Sequence, residues 1–309
     1  LKILVTGGAG FIGSHVVDAY LEAGHQVIVV DDLSTGKKEN LNPKAKLHQM
    51  SILDDKIQQL LQDEAVEVVN HHAAQIKVKA SLEDPYFDVK TNVLGSVLLL
   101  DLCRRAGVKK FIYASSGGAQ YGEMDKVPFP ETHRSRPFSV YGASKYAVEI
   151  YADVFAQNFG LEYVVLRYAN VYGPRQDALG EGGVVAIFTH SMLHGGEFVI
   201  FGDGYNVRDY VYVKDLARAN LLALGHDQNG VFNIGTGIGT TTNELFDVLA
   251  KATGYKKAPN RSTARLGDLA KSVLDPTRAK KILKWEPRYD LAAGLKETVD
   301  YYKTPKKAV

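Results

Sequence analysis

The chain has 309 residues, 45% hydrophobic and 23% charged, with 37 Lys and Arg against 35 Asp and Glu for a net charge of +2. That is an ordinary globular composition, long enough for about two domains, and its balance excludes the basic field that nucleic acid or an anionic membrane calls for. No apolar run reaches the length of a membrane span, and the single cysteine, Cys103, can make neither an internal disulfide nor a thiolate metal cluster.

The first half alternates between two periodicities. LKILVTG is a short apolar run stopped by glycines, FIGSHVVDAYLEAG has helical spacing and stops at Gly24, and HQVIVVDD is a second strand. AKLHQM reads as a third strand, DDKIQQLLQ as helix and VEVVNHHAA as strand. TNVLGSVLLLDLCRRAG is one long helix ending at Gly107, which puts Cys103 in the core, and KKFIYASS is the next strand. SVYGASKYAVEIYADVFAQNFG is helix and EYVVLRY is strand. Wholly apolar strands separated by helices predict an α/β fold with a doubly wound parallel (Rossmann) sheet over residues 1–168, with ligands at the C-terminal strand ends.

After Tyr168 glycine-rich connections break this rhythm. Residues 169–206 and 229–309 read as a smaller, irregular substrate-binding region, with the strand and helix of 207–228 crossing back to the sheet. The tail YYKTPKKAV reads as a solvated end. The chain opens directly on a strand-like segment, without initiator Met, charged n-region or cleavage site. A trimmed N-terminus and a cytoplasmic protein are therefore expected.

VTGGAGFIGSH lies between the first strand and the first helix. Its glycines read either as Gly8-x-Gly10-x-x-Gly13 or as Gly7-x-x-Gly10-x-x-Gly13. Both readings share one physics: a tight turn, a backbone that can approach a pyrophosphate, and a helix N-terminus that offers free N–H groups to an anion. Asp31 ends the second strand 18 residues past Gly13, where a carboxylate can accept from both ribose hydroxyls and repel a 2′-phosphate. This favours NAD over NADP, although Lys37 and Lys38 follow closely.

Tyr141 and Lys145 lie four apart in SVYGASKYAVE, and so on one helical face. An ammonium beside a phenol lowers its pKa from about 10 and makes a general base for an alcohol proton. The chain holds 17 tyrosines, so the pair gains weight only through Ser116, which ends a strand just upstream and can hold the reacting oxygen. No G-x-S-x-G elbow supports a nucleophilic serine. His71 and His72 point to opposite faces of one strand, and read as one packed and one hydrogen-bonded residue near the cofactor; no metal is expected.

TGGAGFIGS, the acid ending strand two, HHAAQ, Asn92 in TNVLGS, the paired serines and YGASK together resemble the extended short-chain dehydrogenase/reductases. LRYANVYGPRQ, FGDGYNVRDYVYVKDLARA, FNIGTG and RLGDLAKSVLDPTRAKKILKWEP are similar to the nucleotide-sugar epimerases and dehydratases, above all the UDP-glucose 4-epimerases, over essentially the whole chain. The resemblance implies that Gly7, Gly10, Phe11, Ile12 and Gly13 line the NAD pyrophosphate and that Asp31 holds the adenosine ribose. Lys145 holds the nicotinamide ribose, and Ala73, Ala74 and Asn92 border the cofactor. Where the family often has an acid for the adenine amine, this chain offers Ser51, beside Ile52. For a UDP-sugar, Asn170, Arg208, Arg265 and Asp268 match the diphosphate and ribose contacts, and Val199 and Phe201 flank the uracil. Arginine suits that task because its planar fork binds phosphate in bidentate fashion.

The reaction implied is oxidation of the sugar at C4 by Tyr141 and NAD, rotation of the 4-keto sugar about its diphosphate tether, and re-reduction on the other face. Related dehydratases place Asp-Glu after the catalytic hydroxyl and decarboxylases keep a Glu there. Here Gly117, Gly118, Ala119 and Gln120 follow, and none is an acid or base. A non-catalytic NAD-sensing protein is the remote alternative. The position that gates N-acetylated sugars falls on the small Ser272, which implies room for an acetamido group. Two apolar helices, with Val97, Leu98, Leu102, Ile150 and Val154, imply a homodimer, or else simply pack on the sheet.

Overall fold

Strands without a polar face must be covered on both sides. The computed structural model, which describes residues 1–123, 126–178, 183–264 and 269–304, shows how this is done. The first half runs β1 (Lys2–Thr6), α1 (Phe11–Glu22), β2 (Gln26–Asp31), β3 (Lys46–Gln49), α2 (Lys56–Asp63), β4 (Val68–His71), α3 (Val78–Glu83), α4 (Pro85–Asp88), α5 (Gly95–Ala106), β5 (Lys110–Ser116), α6 (Gly117–Gln120), α7 (Val140–Phe159) and β6 (Glu162–Tyr168). The second runs β7 (Asn170–Tyr172), α8 (Val184–Leu193), β8 (Val199–Phe201), β9 (Val207–Tyr212), α9 (Val213–Leu224), β10 (Gly230–Ile234), β11 (Gly239–Thr241), α10 (Thr242–Thr253), β12 (Asn260–Ser262), β13 (Lys271–Ser272) and α11 (Leu291–Lys303).

Seven parallel strands form the central sheet in the order β10-β6-β5-β4-β1-β2-β3. Alternate residues feed two cores. Ile3, Val5, Val29, Ile112 and Leu166 pack with Val16, Val17 and Leu216 of α1 and α9. Leu4, Ile28, Val69, Phe111 and Val165 pack with Leu61, Leu99, Cys103 and Val148 of α2, α5 and α7. A third core, with Phe188, Phe198, Tyr212, Leu245 and Leu295, holds the second region together. There β9 pairs with β11, β13 and β7, while β8 and β12 form a separate two-stranded ribbon. Among the described residues no helix is long and apolar enough to cross a membrane.

Two expectations need correction. The return to the main sheet is made not by residues 207–228 as a block but by α9, which packs on α1, and by β10, which pairs with β6. β9 instead centres the second sheet. The strand GVFNI is short and is followed by glycines, but Phe232 and Ile234 are fully buried in the main core. The helix read across 91–107 is also not uniform: Val89–Leu94 is a π-helical turn, after which α5 continues to a left-handed Gly107. Of the apolar residues named for these helices, Leu102 packs into the core, the second of the two readings.

Behind β5 and β6 lies a buried ion pair. Glu149 of α7 accepts from Arg167 at 2.6 Å, from Ser115 Oγ at 2.5 Å and from Gln120 Nε2 at 3.0 Å. Arg167 also donates to the Tyr121 hydroxyl at 2.7 Å, which donates to Asn233 of β10 at 2.9 Å. Burial works against the Arg167 charge, but Glu149 outweighs it and holds the guanidinium above its ordinary value. Arg167→Ala leaves Glu149 buried without a cation. A loss of about 3–5 kcal/mol in urea unfolding is expected, and a loss below about 1 kcal/mol would show that the pair contributes little.

Candidate active site

In a doubly wound sheet ligands sit where successive crossovers leave in opposite directions. Here that point lies between β1 and β4, at Thr6–Gly7 and His71–Ala73. Gly7 has φ +67° and a Cβ on it would lie 2.6 Å from Ala73 N, while a Cβ on Gly13 would lie 2.2 Å from Gly7 O. Gly8 has no positive φ, and a Cβ on it would meet only side chains, Val29 Cγ1 at 2.8 Å first, not backbone. The working spacing is therefore Gly7-x-x-Gly10-x-x-Gly13. Gly10 is the N-cap of α1 and provides no side-chain cap, so the first amides of the helix, at Phe11 and Ile12, face the loop mouth. A group of this shape fits a pyrophosphate.

Asp31 sits beside it. One carboxylate oxygen accepts from Ala9 N at 2.9 Å and the other from Leu33 N at 2.8 Å, leaving each a lone pair for a hydroxyl. Burial raises its pKa and these two amides oppose the rise. Lys37 is engaged with Asp177 at 3.4 Å, away from Asp31. Ser51 and Ile52 follow β3 next to the end of β2, with Ile52 packed on Gly95 of α5.

The far side of the crevice is wired by one directional chain. Ala73 N donates to Thr6 Oγ1, which donates to His71 Nδ1 at 2.6 Å; His71 Nε2 donates to Ser96 Oγ at 2.9 Å, and Ser96 donates to Asn92 O at 2.5 Å. Burial holds the His71 pKa well below the ordinary histidine value, and with the Ser96 proton committed to Asn92 O the neutral ring donates from Nε2 and accepts from Thr6 at Nδ1. Asn92, buried in the π turn, exchanges hydrogen bonds with the backbone of Gln75, next to Ala74. His72 stacks on Tyr168, and burial brings it down to about 3.

Ser116 ends β5 as the N-cap of α6, and α7 delivers Tyr141 and Lys145 beside it. Ser139 caps α7 by accepting from Gly142 N at 3.1 Å. A Cβ at Gly142 would lie 2.4 Å from Ala119 O, so glycine there is what lets α7 close on the Ser116 turn. Ser81 Oγ accepts from Tyr141 N at 3.1 Å and ties the same helix to α3.

The electrostatics differ from expectation. Burial pushes the Tyr141 phenol up to about 12, a hydrogen bond with Ser116 pulling the other way and Asp88 adding to the rise. Lys145 does not reverse this in the chain itself. Its Nζ donates to Ala114 O at 3.0 Å and lies 5.0 Å over the Tyr113 ring, so the charge is held inward. Burial brings that ammonium down to about 8, against the pull of Asp88 and Glu149.

On the opposite wall, Asn170 opens β7 and Arg208 and Ser272 are register partners on β9 and β13. A Cβ on Gly118 would lie 3.6 Å from Asn170 Oδ1 and 3.9 Å from Ser272 Oγ, so these three positions share one space with the Ser116 turn. Ser272 is 3% exposed. Val199 and Phe201 lie on the β8–β12 ribbon, apart from that sheet. Arg265 and Asp268 lie outside the described residues. Among the described residues no group of three His, Cys, Asp or Glu side chains could hold a metal ion. Sequence reasoning missed Thr6, Gln75, Ser81, Asp88, Gly142 and Ser144; Thr6 in TGGAGFIGS, Gln75 in HHAAQ, and Gly142 and Ser144 in YGASK lay inside quoted motifs, whereas Ser81 and Asp88 carried no signal.

A glycine-lined nucleotide loop joined to a Ser–Tyr–Lys cluster defines a short-chain dehydrogenase/reductase type of site. Residues 3–235 match the NAD dependent epimerase/dehydratase family, and the chain belongs to it. The UDP-glucose 4-epimerase of Mycolicibacterium smegmatis is 44% identical over 98% of this chain and 99% of its own length. The crystal structure of the Thermotoga maritima UDP-glucose 4-epimerase with UDP-glucose superposes with a TM-score of 0.96 at 56% identity, over 98% of each chain. That of the Thermus thermophilus UDP-glucose 4-epimerase with NAD does so with a TM-score of 0.92 at 43% identity, over 98% of this chain and 99% of the other.

Neutral buried histidines make stability pH-dependent. His15, brought down to about 4 mainly by burial, and His72, at about 3, stay unprotonated in the fold while the unfolded chain takes up protons below 6.5. Stability is thus full above pH 6.5 and lost as pH falls towards those lower values, by about 2 kcal/mol per histidine at pH 5. His72→Phe should show a smaller fall between pH 7 and 5 in urea titrations of protein stripped of cofactor. Equal falls in both proteins would sink the assignment.

Proposed function

We propose that this protein interconverts UDP-galactose and UDP-glucose by NAD-dependent epimerisation at the sugar C4. The observation that carries the reading is Ser116, Tyr141 and Lys145 at the strand edge, followed by a turn with nothing that can move a proton. Gly117 and Gly118 have no side chain, Ala119 is inert, and Gln120 is buried with its amide on Glu149. The turn favours oxidation and re-reduction at one carbon over dehydration or decarboxylation. The similarity to UDP-glucose 4-epimerases over nearly the full chain supports the same reading.

In this reading the Gly7–Gly13 loop and the α1 amides hold the pyrophosphate, Asp31 the adenosine ribose, and Ser51 and Ile52 the adenine. Ala73, Ala74, Asn92 and Lys145 frame the nicotinamide end. Bound there, NAD supplies the hydride acceptor and donor. Ser116 and Tyr141 hold the 4-hydroxyl between them, and Tyr141 takes its proton and later returns one. Lys145 fixes the ribose and keeps positive charge near the phenol. Asn170, Arg208, Arg265 and Asp268 anchor the UDP while Val199 and Phe201 flank its base, so the keto sugar can turn without escaping.

The small, buried Ser272 supports turnover of N-acetylhexosamine forms as well. Exposed Leu94, in the turn before α5, and Ile150, Tyr151 and Val154 on α7 support a homodimer through these helices. The buried Cys103 suits a reducing cytoplasm.

Incubation with UDP-galactose and no added NAD should yield UDP-glucose, and Tyr141→Phe should lower kcat at least ~100-fold. No product from the wild type would remove the enzyme reading. Ser272→Tyr should depress turnover of UDP-N-acetylgalactosamine far more than that of UDP-galactose; equal losses would refute the gate.

A further inference from the structure

Asp88, the last residue of α4, is fully buried. It meets three neutral donors: Ser144 Oγ at 2.6 Å on one oxygen, and Gln75 Nε2 at 2.7 Å and Asn92 Nδ2 at 3.1 Å on the other. They come from three places. Ser144 is the residue before Lys145 on α7, Gln75 follows Ala74 in the loop after β4, and Asn92 sits in the π turn. A carboxylate is acceptor-only and can serve all three; an amide would turn a donor towards at least one of them.

A carboxylate buried among neutral groups is costly unless its charge is used. The groups facing Lys145 show where it goes. His71, which ends β4, and His72 after it are neutral imidazoles, and from β5 the Tyr113 ring lies 5.0 Å from the Lys145 ammonium. Its own helix contributes Tyr141 and Glu149, but Glu149 is already paired with Arg167 at 2.6 Å. Asp88 is the one of the two carboxylates acting on Lys145 that has no guanidinium on it, only neutral donors.

We propose that Asp88 is a positioning residue for the reaction: it locks the Tyr141–Lys145 helix to the Gln75–Asn92 shelf that borders the cofactor, and it sets a negative charge on Ser144, the residue before Lys145. The assignment rests on the epimerase reading above. It also agrees with the direction in which Asp88 acts on Lys145, upward against burial. The tyrosine needs that ammonium charged, so removing the carboxylate lets the proton leave at lower pH.

The test compares wild type, Asp88→Asn and Ser144→Ala as purified holoenzymes. Asp88→Asn should lower kcat ~10- to 100-fold, with little change in KM for UDP-galactose. The basic limb of its kcat–pH profile should move down by about one unit, and less NAD should be released on denaturation after gel filtration. Ser144→Ala removes the tether and leaves the charge, so kcat should fall with the basic limb in place. Wild-type NAD content together with an unshifted limb in Asp88→Asn would overturn the proposal, whatever the loss in kcat. If Asp88→Asn does not fold, wild-type kcat in a folded Ser144→Ala overturns it and a reduced kcat supports it. Should the wild type fail to turn over UDP-galactose, the epimerase reading fails instead, and the NAD content of the two variants alone decides the role of Asp88.

Discussion

Parallel pairing places every strand's C-terminal end on the same edge of the sheet. Thr6, Asp31, His71, Ser116 and Tyr168 all end strands of this sheet, so five chain segments deliver chemistry to one line without any loop having to search for it. The two helices that matter then need only correct angles. Gly13 lets α1 lie against the turn, and Gly142 lets α7 close on the Ser116 corner. Both fits are contacts with backbone carbonyls, which do not move aside as side chains do.

Much of this was legible because it is local. A glycine run between an apolar strand and an amphipathic helix, an acid ending the next strand, and a Tyr–Lys pair one helical turn apart are features of neighbouring residues. The parts that stayed hidden depend on distance in the chain. β10 pairs with a strand that ends 62 residues before it begins, counting 230 − 168, and its five residues carry no mark of their partner. Asp88 sits in DPYFD, a stretch without a recognised motif; only folding brings Ser144 and Gln75 to it. The inward turn of Lys145 was likewise invisible, because spacing shows that two side chains share a face but not which neighbour each prefers.

The site carries charge that the fold does not need. Lys145 is brought down to about 8 and Tyr141 pushed up to about 12, both mainly by burial. Asp88 meets three neutral donors and no cation on its oxygens, while the nearby Glu149 is paired with Arg167. Separate carboxylates thus do separate work. One pair knits β5, β6 and α7 into a rigid backing, and one lone acid adjusts the groups in front of it. Such unspent polarity is common where stability has been exchanged for reactivity.

β10 has a consequence for how the molecule comes into being. The ribosome delivers β6 long before it delivers residues 230–234, and until then β6 is the open border of a six-stranded sheet, with no strand at its outer side and without Phe232 and Ile234 over the core beneath. The part of the second region from β7 to β9 is therefore a long detour inside the nucleotide-binding half, and only β11 to α11 are added after β10 has closed the sheet. The nascent chain must carry an unpaired edge, the feature most prone to joining another chain, through the synthesis of that detour.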